Sequence, residues 1–373
     1  MRVYSGFNGY SGANVALDRA DKKVTTYLAS ETDKWCNAVT RYNYPKTVFI
    51  GDITKVNPNS IKDIDLMIGG SPCQDVSFSG KGEGLVEGKR SNLFFTWLDH
   101  LKTIKPKYFL LENVKMKKEY ENMITMALGV APMMIPSSLV SGQKRDRLYW
   151  FNWNCDLPKD KKIFLQDIVE DGAVDRDKSF CIDANYWKGG NLKSYFVKNR
   201  RQLVFDDHRC IQVGIADIKG YDVIKRVYAR EGKAPTLTTM QGGHREPKVV
   251  CGQMVGRKIN PKTGKRDDYN PNIKTEQRIE LKGDGKTGAL TTVQKDNLVV
   301  TDKYWRALTP RECERLQTLA DDYTLFGDFD ESRYPSDDDY DIKEISKTQR
   351  YKMLGNGFTV DVIAHILRSM PNG

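Results

Sequence analysis

The first part of the chain alternates short apolar runs with longer amphipathic stretches. Four runs have the length and β-branched content of buried strands: VTTYLAS (24–30), TVFIGD (47–52), DLMIGG (65–70) and KYFLLENV (107–114). Between them, ETDKWCNAVTRY and SNLFFTWLDHLKTI carry apolar residues at helical spacing. This alternation predicts an α/β fold in which a mostly parallel, Rossmann-like sheet has helices on both faces.

The pattern changes near residue 155 and changes back near 305. Between these points glycine, lysine, asparagine and short β-branched runs replace the helical periods. Helical signals return at 309–323, where Thr309 can cap a helix and Pro310 suits its first turn. The chain then closes with a turn followed by an apolar helix, YKMLGNGFTVDVIAHIL. We therefore expect one domain made of 1–155 and 305–373, and a smaller β-rich domain made of 156–304.

Polar residues gather where the predicted strands end. A glycine-rich turn, FNGYSGANVAL (7–17), joins the first strand to a helix, and glycines there let a backbone approach a ligand. Glu31 ends the second strand, where a carboxylate can bind ribose hydroxyls, and Asp52 ends the third, where it can accept from an adenine amino group. An adenosine-containing cofactor would touch all three strand ends. For the glycine stretch alone, an ordinary tight turn is the alternative.

A thiol and a carboxylate follow the next two strands. Cys73 stands in GGSPCQDVSFSGKGEGL (69–85), where a strand stops and a loop begins, and Glu112 stands in LLENV. One parallel sheet brings both to the same edge, an arrangement suited to covalent catalysis with a proton donor. The alternative for Cys73 is a buried residue of the core. The alternative for Glu112 is that it caps the next helix or pairs with Lys115. Two arginines of GQKRDRLYW (142–150) alternate along a predicted strand and could favour the thiolate, or could be solvated surface residues.

Composition narrows the classes of function. The chain of 373 residues has 59 basic and 49 acidic residues, a formal charge of +10 that favours a polyanionic partner. Its seven cysteines form no CxxC pair and it has four histidines, so we expect neither a disulfide framework nor a metal site. No apolar run approaches the roughly 20 residues of a membrane span, and the N-terminus lacks the apolar region of a signal peptide. We expect a cytoplasmic protein with no membrane partner.

Taken in order, these stretches resemble the motif series of the DNA (cytosine-5) methyltransferases. SPCQDVSFSG is similar to the family's Pro-Cys loop, ENV to its Glu-Asn-Val motif and QKRDR to its Gln-x-Arg-x-Arg motif. RALTPRECERLQ and LGNGFTVDVIAHIL resemble the two C-terminal motifs. GLVEGKRSNLFF and the short spacing after ENV are more like the vertebrate de novo enzymes. RVYAREGKAPTLTTMQGG resembles the target recognition domains of bacterial and phage enzymes, so a bacterial or phage protein is expected.

The resemblance implies a role for each catalytic candidate. Cys73, preceded by Pro72, would attack C6 of a cytosine flipped out of the duplex, and Glu112 would hold N3 and N4 of that base. Arg145 and Arg147 would position the base and stabilise the adduct. Gln143 would support the loop and Asn113 would fix the geometry between the two loops. C5 of the cytosine then takes the methyl group of S-adenosylmethionine.

The resemblance also implies which residues bind this cofactor. These residues are Phe7, Gly9, Gly12, Glu31, Asp52, Ile53 and Asn356. Two positions depart from the family pattern: Ser11 stands where a second glycine is common, and Thr32 stands where an aromatic residue is common. We expect these departures to weaken cofactor affinity without abolishing it.

Residues 156–304 would recognise double-stranded DNA as a target recognition domain. The candidate contacts are Arg230, Thr236, Leu237, Gln241, Arg245 and Arg257. Most basic residues there would contact phosphates or solvent instead. Two rivals remain: a tRNA cytosine-5 methyltransferase, which the large insert disfavours, and a non-catalytic DNA-binding protein, which the complete set of catalytic candidates disfavours. No segment suggests an additional interface, so a monomer is expected.

Overall fold

The computed structural model describes 260 of the 373 residues. The described residues are 1–70, 92–188, 195, 200–205, 212–215, 226–228, 251–258, 267, 270, 273, 276–282, 297–299, 305–331 and 341–371. For the strands between 212 and 299 the description covers the backbone alone.

A seven-stranded sheet forms the centre of the first part of the chain. Its strands are β1 (Arg2–Gly6), β2 (Thr26–Ser30), β3 (Val48–Gly51), β4 (Leu66–Gly69), β5 (Tyr108–Val114), β6 (Met133–Pro136) and β7 (Asp146–Phe151). Their spatial order is β3-β2-β1-β4-β5-β7-β6, and β7 runs antiparallel to both of its neighbours. The pairs from β3 across to β5 are all parallel. The predicted mostly parallel α/β fold is confirmed.

Helices connect the strands and close the fold at its C-terminal end. They are α1 (Gly12–Arg19), α2 (Lys34–Asn43), α3 (Asn92–Ile104), α4 (Lys118–Leu128), α5 (Pro310–Leu316), α6 (Lys347–Asn356) and α7 (Val360–Arg368). None of the helices in the described ranges is long and apolar enough to cross a membrane. The remaining described strands are β8 (Leu203–Phe205), β9 (Gln212–Ile215), β10 (Arg226–Tyr228), β11 (Cys251–Arg257), β12 (Glu276–Lys282), β13 (Asn297–Val299), β14 (Trp305–Ala307), β15 (Phe326–Asp328) and β16 (Ile342–Glu344).

The strand order creates a switch point between β1 and β4. From β1 the chain winds to β2 and β3 on one side, and β4 and β5 extend on the other. Ligands of open α/β sheets bind at such a point, beyond the carboxyl ends of the strands. The indole of Trp97 on α3 packs under this edge, since a β carbon on Gly69 would lie 2.3 Å from its Nε1 and one on Gly6 2.7 Å from its Cδ1. These two glycines therefore give α3 its close approach to the sheet.

In the C-terminal segment, the structure confirms the predicted helix cap and corrects the predicted end of one helix and the predicted turn. Thr309 caps α5 as predicted: its Oγ1 accepts from the N–H of Glu312 at 3.2 Å, and the Glu312 carboxylate accepts from the N–H of Thr309 at 2.7 Å. The helix ends at Leu316, before the predicted limit of 323, because Thr318 and Asp322 adopt left-handed backbone conformations. The stretch predicted as a turn before the last helix is the end of α6.

The chain divides into two compact units whose boundary differs from the prediction. The first unit comprises 1–170, 174–203 and 307–373, and the second comprises 171–173 and 204–306. Residues 156–170 and 174–203, expected in the second domain, belong to the first. The reason is visible at Ser179, whose N–H donates to Gly142 O at 2.7 Å while its carbonyl accepts from Lys144 N at 2.9 Å. In the second unit, β11 pairs antiparallel with β12 and β13.

Candidate active site

A cavity of ≈ 530 Å³ in the first unit opens at the carboxyl edge of the sheet. All seven predicted cofactor residues line it: Phe7, Gly9, Gly12, Glu31, Asp52, Ile53 and Asn356. Four of the predicted catalytic residues line the same cavity: Glu112, Asn113, Arg145 and Arg147. These side chains come from the ends of β1, β2, β3 and β5, from the start of β7 and from α6, so the topology brings together residues up to 349 positions apart.

The turn after β1 is built from left-handed backbone conformations. Phe7, Gly9 and Ser11 have φ angles of 61°, 56° and 67°. Glycine adopts such angles freely, whereas serine adopts them with strain, which explains why a glycine is expected at the position of Ser11. The buried Ser11 hydroxyl oxygen accepts from Asn14 Nδ2 at 2.9 Å, which holds the turn against α1. This departure from the family pattern is therefore accommodated locally.

Glu31 organises two loops at the cavity edge. Its Oε2 accepts from the N–H of Gly9 at 2.8 Å, and its Oε1 accepts from the N–H groups of Thr32 at 2.7 Å and Asp33 at 2.9 Å. A carboxylate offers about four acceptor positions, so three backbone bonds leave one for a ligand hydroxyl. Glu31 is therefore both a cavity residue and the link between the ends of β1 and β2.

Asp52 presents a carboxylate at the end of β3. Its Oδ1 accepts from the N–H of Thr54 at 3.0 Å and from the Thr54 hydroxyl at 2.9 Å. The backbone hydrogen bond from Thr54 is the main reason that the pKa of Asp52 lies below its ordinary value, so the side chain is an anion at neutral pH. The next residue, Ile53, is buried and belongs to the hydrophobic cluster under the sheet. An anionic acceptor thus stands beside an apolar wall.

Glu112 and Arg147 form an ion pair across β5 and β7. The Nε atom of Arg147 lies 3.1 Å from Oε1 of Glu112, and the two side chains are only 14% and 13% exposed. In the antiparallel register Arg147 faces Val114 and Glu112 faces Tyr149, so the pair is diagonal between the strands. The Tyr149 hydroxyl is buried and has no hydrogen-bond partner within the described ranges. Burial raises the pKa of this phenol, so it remains neutral beside the pair.

Arg145 lines the cavity and also contacts the C-terminal end of α6. Its Nη1 donates to Ile182 O at 3.1 Å, and its Nη2 donates to Gly355 O at 3.4 Å and also to Gly357 O. The side chain is buried, and its two terminal nitrogens are engaged by backbone carbonyls. Arg145 therefore fastens α6 to the sheet edge, and its expected part in positioning the base stays a prediction.

Gln143 and Asn113 are both buried but point in different directions. Gln143 does not line the cavity: its Nε2 donates to Leu316 O at 2.6 Å and to Gln317 Oε1 at 3.1 Å. It joins the segment before β7 to the end of α5. Its expected support of the loop stays a prediction, since residues 71–91 lie outside the described residues. Asn113 lines the cavity next to Glu112, and its Oδ1 accepts from the N–H of Val114 at 2.8 Å.

Several predicted site residues lie outside the described residues. They are Pro72, Cys73, Arg230, Thr236, Leu237, Gln241 and Arg245. Arg257 ends β11, where its backbone pairs with Glu276 of β12. No cluster of three or more His, Cys, Asp or Glu side chains in the described ranges is arranged to hold a metal ion.

Sequence reasoning missed other residues of the cavity. Tyr10 is buried, donates its hydroxyl hydrogen to Phe358 O at 3.0 Å and forms part of the wall. Lys352 on α6 also lines the cavity and pairs with Asp33 at 2.7 Å. Tyr10 stands inside the glycine-rich turn, so the same motif could have predicted it as a cavity residue. No local pattern pointed to Lys352.

Comparison with known proteins agrees with this geometry. A family model for C-5 cytosine-specific DNA methylases matches residues 1–127 and 141–372. The orphan methyltransferase M.Rho11sI of Bacillus phage rho11s is 26% identical, over 99% of this chain and 97% of that protein. The type II methyltransferase M.HhaI of Haemophilus parahaemolyticus is 25% identical, over 98% of this chain and 93% of that protein.

Solved structures share the fold. A Spodoptera frugiperda DNMT2 mutant aligns with a TM-score of 0.54 and 16% identity, over 99% of this chain and 98% of the other. The Dnmt2 methyltransferase of S. pombe aligns with a TM-score of 0.52 and 14% identity, over 99% and 97%. The family model covers both the cavity residues and the second unit, so this chain belongs to the C-5 cytosine-specific DNA methylase family, whose reaction is the methylation of cytosine in DNA.

Proposed function

We propose that this protein transfers the methyl group of S-adenosylmethionine to C5 of a cytosine flipped out of a short, specific sequence of duplex DNA, with Cys73 as nucleophile at C6. The supporting observation is the position of the Glu112 carboxylate. A β carbon on Gly70 would lie 3.2 Å from its Oε2, so this carboxylate lies against the chain three residues before Cys73. Three extended residues span at most about 10 Å, so the proposed nucleophile would be within reach of a base held by Glu112.

The polar and apolar groups that line the cavity fit the chemistry of S-adenosylmethionine. S-adenosylmethionine, when bound, supplies an electrophilic methyl group carried on a sulfonium ion. Asp52 would accept from the adenine amino group through Oδ2, which has no hydrogen bond among the described residues, and Ile53 and Phe7 would contact the ring. Glu31 would accept from a ribose hydroxyl through its remaining acceptor position. Gly9, Gly12 and Asn356 complete the wall.

The Glu112–Arg147 pair would hold and activate the cytosine. Glu112 would hold N3 and N4 of the base and favour protonation at N3, which withdraws electrons from C6. Arg147, whose Nε already contacts Oε1, would keep the carboxyl group in this orientation. Asn113 follows on the same strand and would hold the turn after β5 in place.

The proposed reaction passes through a covalent bond between Cys73 and the cytosine. Its thiolate sulfur bonds to C6, and the electron pair of the C5–C6 double bond moves to C5. C5 would then take the methyl group as the methyl–sulfur bond of the sulfonium ion breaks and leaves its electron pair on sulfur. Loss of the C5 proton to a base then restores the double bond and expels the thiolate. The thiol is only a few per cent ionised at neutral pH when unperturbed, so the reaction needs cationic neighbours to favour the thiolate.

Duplex DNA is the proposed substrate and the second unit the proposed reader of sequence. The formal charge of +10 favours phosphate contacts. Arg230, Gln241, Arg245 and Arg257 are the proposed contacts to bases or phosphates, with Thr236 and Leu237 beside them. We infer a monomer that needs no metal and acts in the cytoplasm of a bacterial or phage-infected cell, in line with the phage and bacterial sources of its relatives.

The test is methylation of mixed-sequence duplex DNA by purified protein and S-adenosylmethionine, read by base-resolved sequencing of 5-methylcytosine. We expect methylation confined to one short motif, with none in Cys73→Ser. Cys155→Ser, at a partly exposed cysteine that is not part of the cavity lining, is the matched control and should retain the rate. Methylation of tRNA but not of duplex DNA, or a normal rate in Cys73→Ser, would overturn the proposal.

A further inference from the structure

Two active-site arginines converge on one sulfur atom. Cys181 follows β7 in a segment expected to belong to the other domain, and it was not among the site candidates. Arg145 Nη1 donates to its Sγ at 3.2 Å, and Arg147 Nη2 lies 3.9 Å from the same atom. Arg147 therefore contacts Cys181 through one nitrogen and Glu112 through another.

The charges around this sulfur do not balance if the thiol is neutral. Among the described residues, two guanidinium groups face one carboxylate, Glu112, which is paired with Arg147. Arg145 is 3% exposed and has no carboxylate within 4.0 Å in the part of the chain that the structure describes. Its Nε is also buried, with no hydrogen-bond partner among the residues that the structure describes. A buried cation without a counter-ion is strongly unfavourable, so the site requires one more negative charge.

Cys181 is the group that can supply this charge. Burial by itself raises the pKa of the thiol, but Arg145 and Arg147 outweigh it and hold the pKa below its ordinary value. The other titratable groups of the cluster, within the described part of the chain, are Glu112, Tyr149 and Tyr10. The two phenols stay neutral because burial raises the pKa of each. The sulfur is thus the remaining candidate among these groups.

We propose that Cys181 is a thiolate that acts as counter-ion to Arg145 and Arg147 and so positions Arg147 against Glu112. It is a positioning residue, since it acts on the base only through Arg147. The role in methylation rests on the proposed function of Glu112 and Arg147. Without the thiolate, the two guanidinium groups repel each other in a buried site. Arg147 also loses the contact between its Nη2 and the sulfur.

The thiolate can be measured without any methylation assay. In a Cys73→Ser background, the ultraviolet thiolate absorbance near 240 nm is titrated against pH and compared with the same protein carrying Cys181→Ser as well. The difference isolates one thiol, and we expect it to titrate below the ordinary value of 9.0. If the double variant does not fold, the same absorbance titration is compared between native and urea-unfolded Cys73→Ser protein. Absorbance that appears only at or above that value would overturn the proposal.

Steady-state kinetics test the positioning role. We expect Cys181→Ser to lower kcat about tenfold, the cost of one charge-assisted hydrogen bond, with the Kd for S-adenosylmethionine unchanged. Cys181→Asp, which keeps the negative charge, should recover part of the loss, and Cys155→Ser should behave as wild type. A full kcat in Cys181→Ser would overturn the positioning role even with a thiolate present. If wild type methylates nothing, the proposed function fails, while the absorbance titration still decides the state of Cys181.

Discussion

The Nε atom of Arg147 lies 3.1 Å from Oε1 of Glu112, and the opposite end of the same guanidinium lies 3.9 Å from the sulfur of Cys181. One planar side chain thus spans a carboxylate and a thiol. Arginine can do this because its donors have a fixed fork geometry, whereas lysine offers a compact charge at a single point. The charge of residue 147 and its shape therefore have separable effects.

Arg147→Lys separates these effects. The substitution keeps the positive charge but loses one of the two contacts, so we expect kcat to fall about 10- to 100-fold with little change in folding stability. The rate is measured by tritium transfer from labelled S-adenosylmethionine to a duplex containing the target. Arg200→Lys, at an exposed position, is the control. A rate within twofold of wild type would show that the charge alone suffices.

Glu31→Gln tests the carboxylate that links two loops. The amide offers one acceptor oxygen in place of two, so either Gly9 or the pair Thr32 and Asp33 loses its acceptor. Such a loss costs about 1–3 kcal/mol, and we expect the Kd for S-adenosylmethionine to rise about tenfold or more. Isothermal titration calorimetry measures the Kd. Glu119→Gln, 61% exposed on α4, should bind like wild type; equal affinities of the two variants would contradict the assignment.

The strand ends of the site were predictable because one physical rule places them. An apolar run followed by a carboxylate marks the end of a buried strand, and parallel strands end at the same edge. Glu31, Asp52 and Glu112 were assigned to one edge on this ground, and the structure places all three on one cavity. Their assigned contacts with cofactor and base remain predictions.

The contacts of Arg145 could not be predicted in the same way. Its partners Ile182, Gly355 and Gly357 are 37 to 212 residues distant in sequence, and no local periodicity encodes which carbonyl a buried guanidinium reaches. The segment around Cys181 was assigned to the other domain because its composition is polar and rich in glycine. Its packing against the β7 side depends on backbone bonds at Ser179, and these leave no compositional signature.

We expect Gly355→Ala to lower the stability of the fold and Gly357→Ala to weaken cofactor binding. A β carbon on Gly355 would lie 2.2 Å from the backbone carbonyl carbon of Asp183, which cannot move aside, so we expect a loss of about 1–3 kcal/mol in the free energy of unfolding. A β carbon on Gly357 would lie 2.2 Å from the ring of Tyr10, a cavity residue. Its displacement should weaken S-adenosylmethionine binding. Urea unfolding and calorimetry distinguish the two; the same loss of affinity in both variants at equal stability would refute the distinction.

The pH dependence of stability should show the contribution of Asp322. Its carboxylate accepts from Arg311, the main cause of a pKa below the ordinary value of 3.8, and it also lies 3.4 Å from Arg350 Nη2. A carboxyl group whose pKa is lower in the folded state stabilises the fold above the pKa it has when unfolded, and this contribution is lost as the pH falls through the folded value.

Asp322→Asn is therefore expected to lower Tm by about 1–3 °C at pH 7, the range for a partly exposed ion pair. Asparagine tolerates the left-handed backbone at this position, where φ is 61°, so the substitution removes charge without adding strain. Asp63→Asn is the matched control, since Asp63 is exposed with a φ of 57°. Thermal unfolding at a series of pH values should show the Asp322→Asn deficit constant above pH 5 and shrinking below about pH 4. A deficit that persists unchanged in acid would mean that the side chain stabilises the fold through its shape, not through the charge that Arg311 and Arg350 recognise.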